Sequence, residues 1–220
     1  MPEVNLLDVY PRMKRNLVER AQWKARSTEN RQIAKQFGFE YFDGTREQGY
    51  GGYRYDGRWK AVVRRMIEHY GLTRHESVLD VGCAKGFLLH DFKTLLPDVR
   101  VAGIDVSRYA LDHAMEDVKP FLQLANATDL PFPDKSFDLV ISINVVHNLP
   151  EALCRRAIRE MERVSRRHQY LQVDAFRNED EKVKLDQWQL TAELIYSTDQ
   201  WRQLLKEEGY TGDFYWTITE

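Results

Sequence analysis

Apolar residues recur along this chain in two rhythms, and the switches between them mark its elements. Short, mostly apolar runs at 78–81, 99–106, 137–143 and 170–176 read as strands buried on both faces. Between them, apolar residues return every three or four positions. Leu88, Leu89, Phe92, Leu95 and Leu96 predict a helix stopped by Pro97, and Val62, Val63, Met66, Ile67 and Tyr70 predict one closed by Gly71. Ser107 is placed to cap a helix whose inner face is Ala110, Leu111, Ala114, Met115 and Val118. Leu153, Ala157, Ile158, Met161 and Val164 predict another, and residues 198–208 a further one closed by Gly209. A final strand runs over 213–219. Strands alternating with helices predict an α/β fold with a mostly parallel sheet and helices on both faces.

Two segments fall outside that rhythm. Residues 1–40 read as helical and charged, with Met13, Leu17, Val18, Ile33, Ala34 and Phe37 at helical spacing and Arg12, Lys14, Arg15, Arg20, Lys24 and Arg26 between them. They predict a helical N-terminal cap. Residues 41–59 keep no period and interleave aromatics, glycines and charges, the composition of a loop that wraps a ligand. Tyr50, Tyr53, Arg54, Tyr55 and Arg58 are its candidates for contact with substrate or cofactor, the arginines suiting an anionic group. The division expected is 1–57 for cap and lid and 58–220 for the sheet domain.

The chain has 220 residues with an apolar fraction of 43%, enough for one packed α/β domain plus an extension. A formal net charge of −2 gives no global drive toward nucleic acid. Arginines crowd one face of the 151–164 helix, but Glu160 and Glu162 break the run, as on a solvated face. Cys83 and Cys154 lack metal-ligand spacing, and no metal site is expected. Without a membrane-length apolar run or a leader pattern, the expectation is a cytoplasmic protein that engages neither membrane nor nucleic acid.

The candidate chemistry sits where the first strand meets its helix, at Asp80-Val81-Gly82-Cys83-Ala84-Lys85-Gly86. A strand, a glycine loop and a helix N-terminus offer free backbone N–H groups to a polar ligand. An acidic residue before the first glycine would repel a pyrophosphate but pair with an ammonium. The segment resembles motif I of the class I methyltransferases that use S-adenosylmethionine, with Ala84 standing for the middle glycine. Three later segments keep the family's order: Ile104-Asp105-Val106, Asn126-Ala127 before Leu130-Pro131-Phe132, and Ser142-Ile143-Asn144 leading to His147-Asn148.

The resemblance covers residues 58–220 and implies a Rossmann-like class I methyltransferase sandwich with S-adenosylmethionine as cofactor and S-adenosylhomocysteine as product. It assigns Asp80, Gly82, Cys83, Ala84, Gly86, Asp105, Val106, Asn126, Ala127 and Asn144 to the cofactor. Asp105 would take the ribose hydroxyls, and Asn126 would accept from the adenine amino group. His147 is the candidate general base, while Asn148 and Trp188 join the loop residues on the acceptor side. The implied reaction moves a methyl group to an O or N atom of a small molecule, with a sugar or polysaccharide precursor as the favoured acceptor. Two alternatives stay open: a non-catalytic cofactor-binding subunit and an NAD(P)-dependent oxidoreductase. A single strand after the last helix predicts six strands, with an outer edge that a second copy could complete as a homodimer.

Overall fold

A computed structural model describes residues 2–11 and 26–219. Two short helices, α1 (Thr28–Ala34) and α2 (Phe39–Phe42), precede the irregular 43–59 loop, and α3 (Lys60–Tyr70) ends on Gly71 in the left-handed conformation. The alternation then begins: β1 (Ser77–Val81), α4 (Phe87–Leu95), β2 (Arg100–Asp105), α5 (Arg108–Asp112), β3 (Leu122–Leu124) and β4 (Phe137–Ile143). It closes with α6 (Glu151–Val164), β5 (Ser165–Ala175), α7 (Glu179–Trp188), α8 (Thr198–Glu207) and β6 (Asp213–Ile218). The sheet order is β3-β2-β1-β4-β5-β6 and every pairing is parallel. Chain direction across the sheet reverses between β1 and β4. In such a sheet, ligands bind beyond the carboxyl ends of the strands at that switch.

Because both faces are covered, the strand runs alternate between two cores. Leu79, Val81 and Val140 pack with Cys154, Ala157, Ile158 and Met161 of α6 and with Trp201 and Leu204 of α8. Val78, Leu139 and Ile141 pack on the other side with Val62, Val63 and Met66 of α3 and with Leu88, Leu89 and Phe92 of α4. The predicted caps are present: Ser107 Oγ accepts from Ala110 N, and Ser197 with Gln200 forms a reciprocal capping box on α8.

Three expectations change. Residues 2–11 are not helical; Glu3 bridges to Phe214, with Val4 N donating to Phe214 O at 3.0 Å. This segment therefore covers the outer edge of β6, the edge that left room for a second copy. Met13, Leu17, Val18 and the basic residues from Arg12 to Lys24 lie outside the described residues. The helix expected over 110–118 stops at Asp112, and the chain continues in turns, with Met115 N donating to Lys85 O. β5 begins at Ser165, earlier than its apolar run: Ser165 pairs with Phe137 and His168 with Leu139, and at the register shift between them the side chains of Arg166 and Arg167 reach out to Asp138 and Glu76. Residues 177–197 form an insertion between β5 and α8 in which α7 ends at Trp188, and Leu190 and Leu194 are buried beyond it without helical structure.

Candidate functional site

The loop after β1 is shaped by backbone before side chains. Gly82 N and Cys83 N both donate to Ile104 O, which turns the chain sharply off the strand. Gly82 (φ +84°) and Gly86 (φ +74°) are left-handed. A Cβ on Gly82 would lie 2.2 Å from a Val145 methyl, so only glycine fits between this loop and the tip of β4. Ala84 adopts the left-handed region at φ +48°, where the family pattern has its middle glycine. Gly86 leads directly into α4.

Two carboxylates flank this loop. Asp80 is 6% exposed, and among the described residues no donor hydrogen-bonds its carboxylate. Burial, with the Asp105 charge adding, pushes its pKa from 3.8 to about 7. A carboxylate in a buried residue at a strand's carboxyl end, raised in pKa and given no protein donor among the described residues, suits a cationic ligand group. Asp105 is buried too, which raises its pKa, but it is well bonded: Oδ2 accepts from Ala84 N and Oδ1 from Ser107 N, each at 2.8 Å. It ties the glycine loop to β2, and each oxygen keeps a lone pair for a further donor. The next side chain, Val106, is exposed.

Asn126 departs from expectation. Its Oδ1 accepts from both Thr128 N and Thr128 Oγ1 at 3.0 Å, so the oxygen expected to meet an adenine amino group is held in a local turn. Ala127 beside it is buried.

The 41–59 loop lies against the glycine loop. Lys85, 6% exposed, donates from Nζ to Asp43 Oδ2 at 2.6 Å and to Tyr53 O at 3.0 Å. Tyr109 donates to the same Asp43 oxygen at 2.6 Å. Burial alone would raise the Asp43 pKa, but Lys85 and Tyr109 outweigh it and hold the carboxyl below its ordinary value. The Tyr53 ring stacks on Phe87 at 4.8 Å, and Tyr50 and Tyr53 pack at 4.6 Å between centroids. Burial raises the pKa of Tyr41 and of Tyr53, where Tyr10 and Asp80 add to it, and Tyr41 raises that of Tyr50, so these phenols are neutral.

The other loop candidates face elsewhere. Tyr55 donates to Asp91 Oδ1 of α4 at 2.6 Å. Arg58 is bound to Asp56 through Nε at 2.7 Å and lies over Tyr10. Arg54 is exposed. Trp188 ends α7, in a segment that α1 grips through Arg31 donating to Asp186 O.

His147 is not at a mouth. It is 3% exposed; its Nδ1 accepts from Asp174 N at 3.2 Å, and its Nε2 lies 3.4 Å from Asp174 Oδ2. Its carbonyl takes Glu193 N and Leu194 N. Burial drops its pKa from 6.5 to about 3 and keeps the ring neutral. In this arrangement the histidine pins the insertion to β5 and is not placed as a base, which corrects the sequence reading. Asn148 likewise braces structure: Nδ2 donates to Asn144 O and Oδ1 accepts from Thr191 Oγ1. Among the described residues no group of three His, Cys, Asp or Glu side chains could hold a metal ion, and no helix is long and apolar enough to cross a membrane.

Residues 78–168 match a family model described as a methyltransferase domain. A demethylmenaquinone methyltransferase of Symbiobacterium thermophilum is 37% identical over 90 residues, 37% of this chain and 36% of that protein. A ubiquinone/menaquinone biosynthesis C-methyltransferase of Hahella chejuensis is 37% identical over 117 residues, 49% of this chain and 45% of that protein. The chain thus spans less than half the length of these relatives. Among solved structures, the YcgJ protein of Bacillus subtilis superposes with a TM-score of 0.52 at 22% identity, covering 66% of each chain. Sheet order and glycine loop, with the family match over residues 78–168, make this part of the chain similar to class I methyltransferase domains.

Proposed function

We propose that this protein is an S-adenosylmethionine-dependent methyltransferase acting on a small molecule in the cytoplasm, with residues 1–57 forming a cap and lid on a methyl-transfer domain at 58–220. The observation that carries the reading is Asp80, a buried residue whose carboxylate has no hydrogen-bond donor among the described residues, set where the parallel sheet switches direction. The cofactor supplies, when bound, a methyl group on a sulfonium. Asp80 answers its ammonium, and Asp105 its ribose hydroxyls. Gly82, Cys83, Ala84 and Gly86 supply close-packed backbone, and Val106 and Ala127 flank the adenine. Tyr50 and Tyr53 stand on the acceptor side. Positioning donor and acceptor supplies much of the rate in such a displacement, so the absence of His147 from the mouth does not weigh against it.

The acceptor expected from sequence was an O or N atom, with a sugar precursor favoured. Relatives named for quinone C-methylation support a wider class that includes carbon nucleophiles conjugated to an oxygen. The test is thermal-shift protection of the purified protein. S-adenosylmethionine and S-adenosylhomocysteine should each raise the midpoint while NAD does not; protection by NAD alone would favour the oxidoreductase instead.

A further inference from the structure

Across the C-terminal ends of β4, β5 and β6 the side chains form a hydrogen-bonded chain with a fixed direction. Leu6 N–H faces the Tyr170 hydroxyl oxygen at 3.4 Å, so the phenol proton turns the other way, onto Gln172 Oε1 at 2.7 Å. Gln172 must then use Nε2 to donate to Thr217 Oγ1, at 3.0 Å. Thr217 passes its own proton to Asn144 Oδ1, at 2.9 Å. An amide has one accepting and one donating end, so the orientation set at a backbone N–H carries through to the last member. At Asn144 the oxygen is taken, and Nδ2 has no acceptor among the described residues.

The backbone of Asn144 is fixed as well. It is left-handed at φ +57°, its N–H donates to Gln172 O at 2.8 Å, and its carbonyl accepts from Asn148 Nδ2. The following residue, Val145, is the one that packs against Gly82. A hydrogen-bond donor of settled polarity therefore stands at the tip of β4, next to the glycine loop.

We propose that Asn144 Nδ2 donates to an oxygen of the methyl acceptor, and that the acceptor is a phenol or enol rather than an amine; this rests on the methyl-transfer reading above. An amine would bring its own N–H groups against this donor, whereas a phenolate or enolate oxygen complements it. The acceptor's proton leaves to solvent on ionisation. Its oxygen, or the carbon conjugated to it, then forms the new bond to the methyl carbon. The carbon–sulfur bond breaks with its electron pair left on sulfur. Tyr170, Gln172 and Thr217 are positioning residues, because they keep the Asn144 amide from turning over.

The test uses the protein saturated with S-adenosylhomocysteine and a matched probe pair, 4-nitrophenol and 4-nitroaniline, followed by absorbance. 4-Nitrophenol should bind as its phenolate, with its ionisation moved to lower pH, and about tenfold more tightly than 4-nitroaniline. Thr217→Val and Asn144→Asp should each weaken phenolate binding about tenfold, and Thr217→Ser should retain it. Thr217→Val should leave S-adenosylhomocysteine affinity unchanged. Preference for the aniline, no phenolate signal, or wild-type phenolate binding by Thr217→Val would overturn the inference alone. No binding of S-adenosylhomocysteine by the wild type would overturn the methyl-transfer reading and this inference with it.

Discussion

Replacing Asp80 with asparagine should stabilise the ligand-free protein at alkaline pH while destroying its cofactor site. Burial raises the folded-state pKa of Asp80 from 3.8 to about 7. Below pH 3.8 the group is neutral in both states and its contribution to stability is fully present. As pH rises toward 7 the unfolded chain releases the proton first, and stability falls until the folded state ionises too. At about 1.4 kcal/mol per factor of ten, the ionised carboxylate costs the folded protein about 4 kcal/mol at pH 8 and under about 2 kcal/mol at pH 5. The asparagine amide brings its own burial cost of about 1–3 kcal/mol if unpaired, but that cost does not change with pH. The diagnostic is therefore the pH dependence of the difference between variants. Urea denaturation of wild type and Asp80→Asn should show the variant gaining about 2–3 kcal/mol in relative stability between pH 5 and pH 8. A difference that is the same at both pH values would refute the reasoning, because it would mean that Asp80 is already satisfied within the fold.

Three further outcomes are expected. Lys85→Met should cost about 2–3 kcal/mol, since it strands Asp43 in a partly buried site, and should speed proteolysis within residues 37–57; an unchanged thermal midpoint and cleavage rate would contradict the clamp. The His147 ring, with its pKa lowered to about 3, should show no NMR titration between pH 5 and 8, and the unfolded chain's uptake of that proton should weaken the fold as pH drops below 6.5; a ring titrating near 6.5 would return it to the surface. Ala84→Gly should gain up to about 1 kcal/mol by relieving a left-handed alanine, and a loss on denaturation would count against the loop geometry.

The strands and the glycine loop were legible because their signals are local. The run from Phe137 to Ile143 can only be a strand covered on both faces, and Ser107 and Gly71 cap the helices they abut. What was hidden depended on partners distant in sequence. Lys85 reads as an exposed loop charge until Asp43, 42 positions earlier, closes over it. Nothing in residues 2–11 announces that Val4 will pair with Phe214. His147 looks like an active-site base by its place after β4, yet Asp174 and the insertion carried by residues 193–194 bury it. Asn126 was read for its family role, and the hydroxyl two residues on, Thr128, claims its oxygen instead. The orientation of Asn144 had no sequence signal, since it is set through three strands and the N-terminal segment.

The central claim is that Asp80 is held without a partner for the ammonium of S-adenosylmethionine. Calorimetric titration of wild type and Asp80→Ala with S-adenosylhomocysteine at pH 8 addresses it most directly. One-to-one binding by the wild type and none by the variant is the predicted result. Equal binding by both, or by neither, would contradict the account.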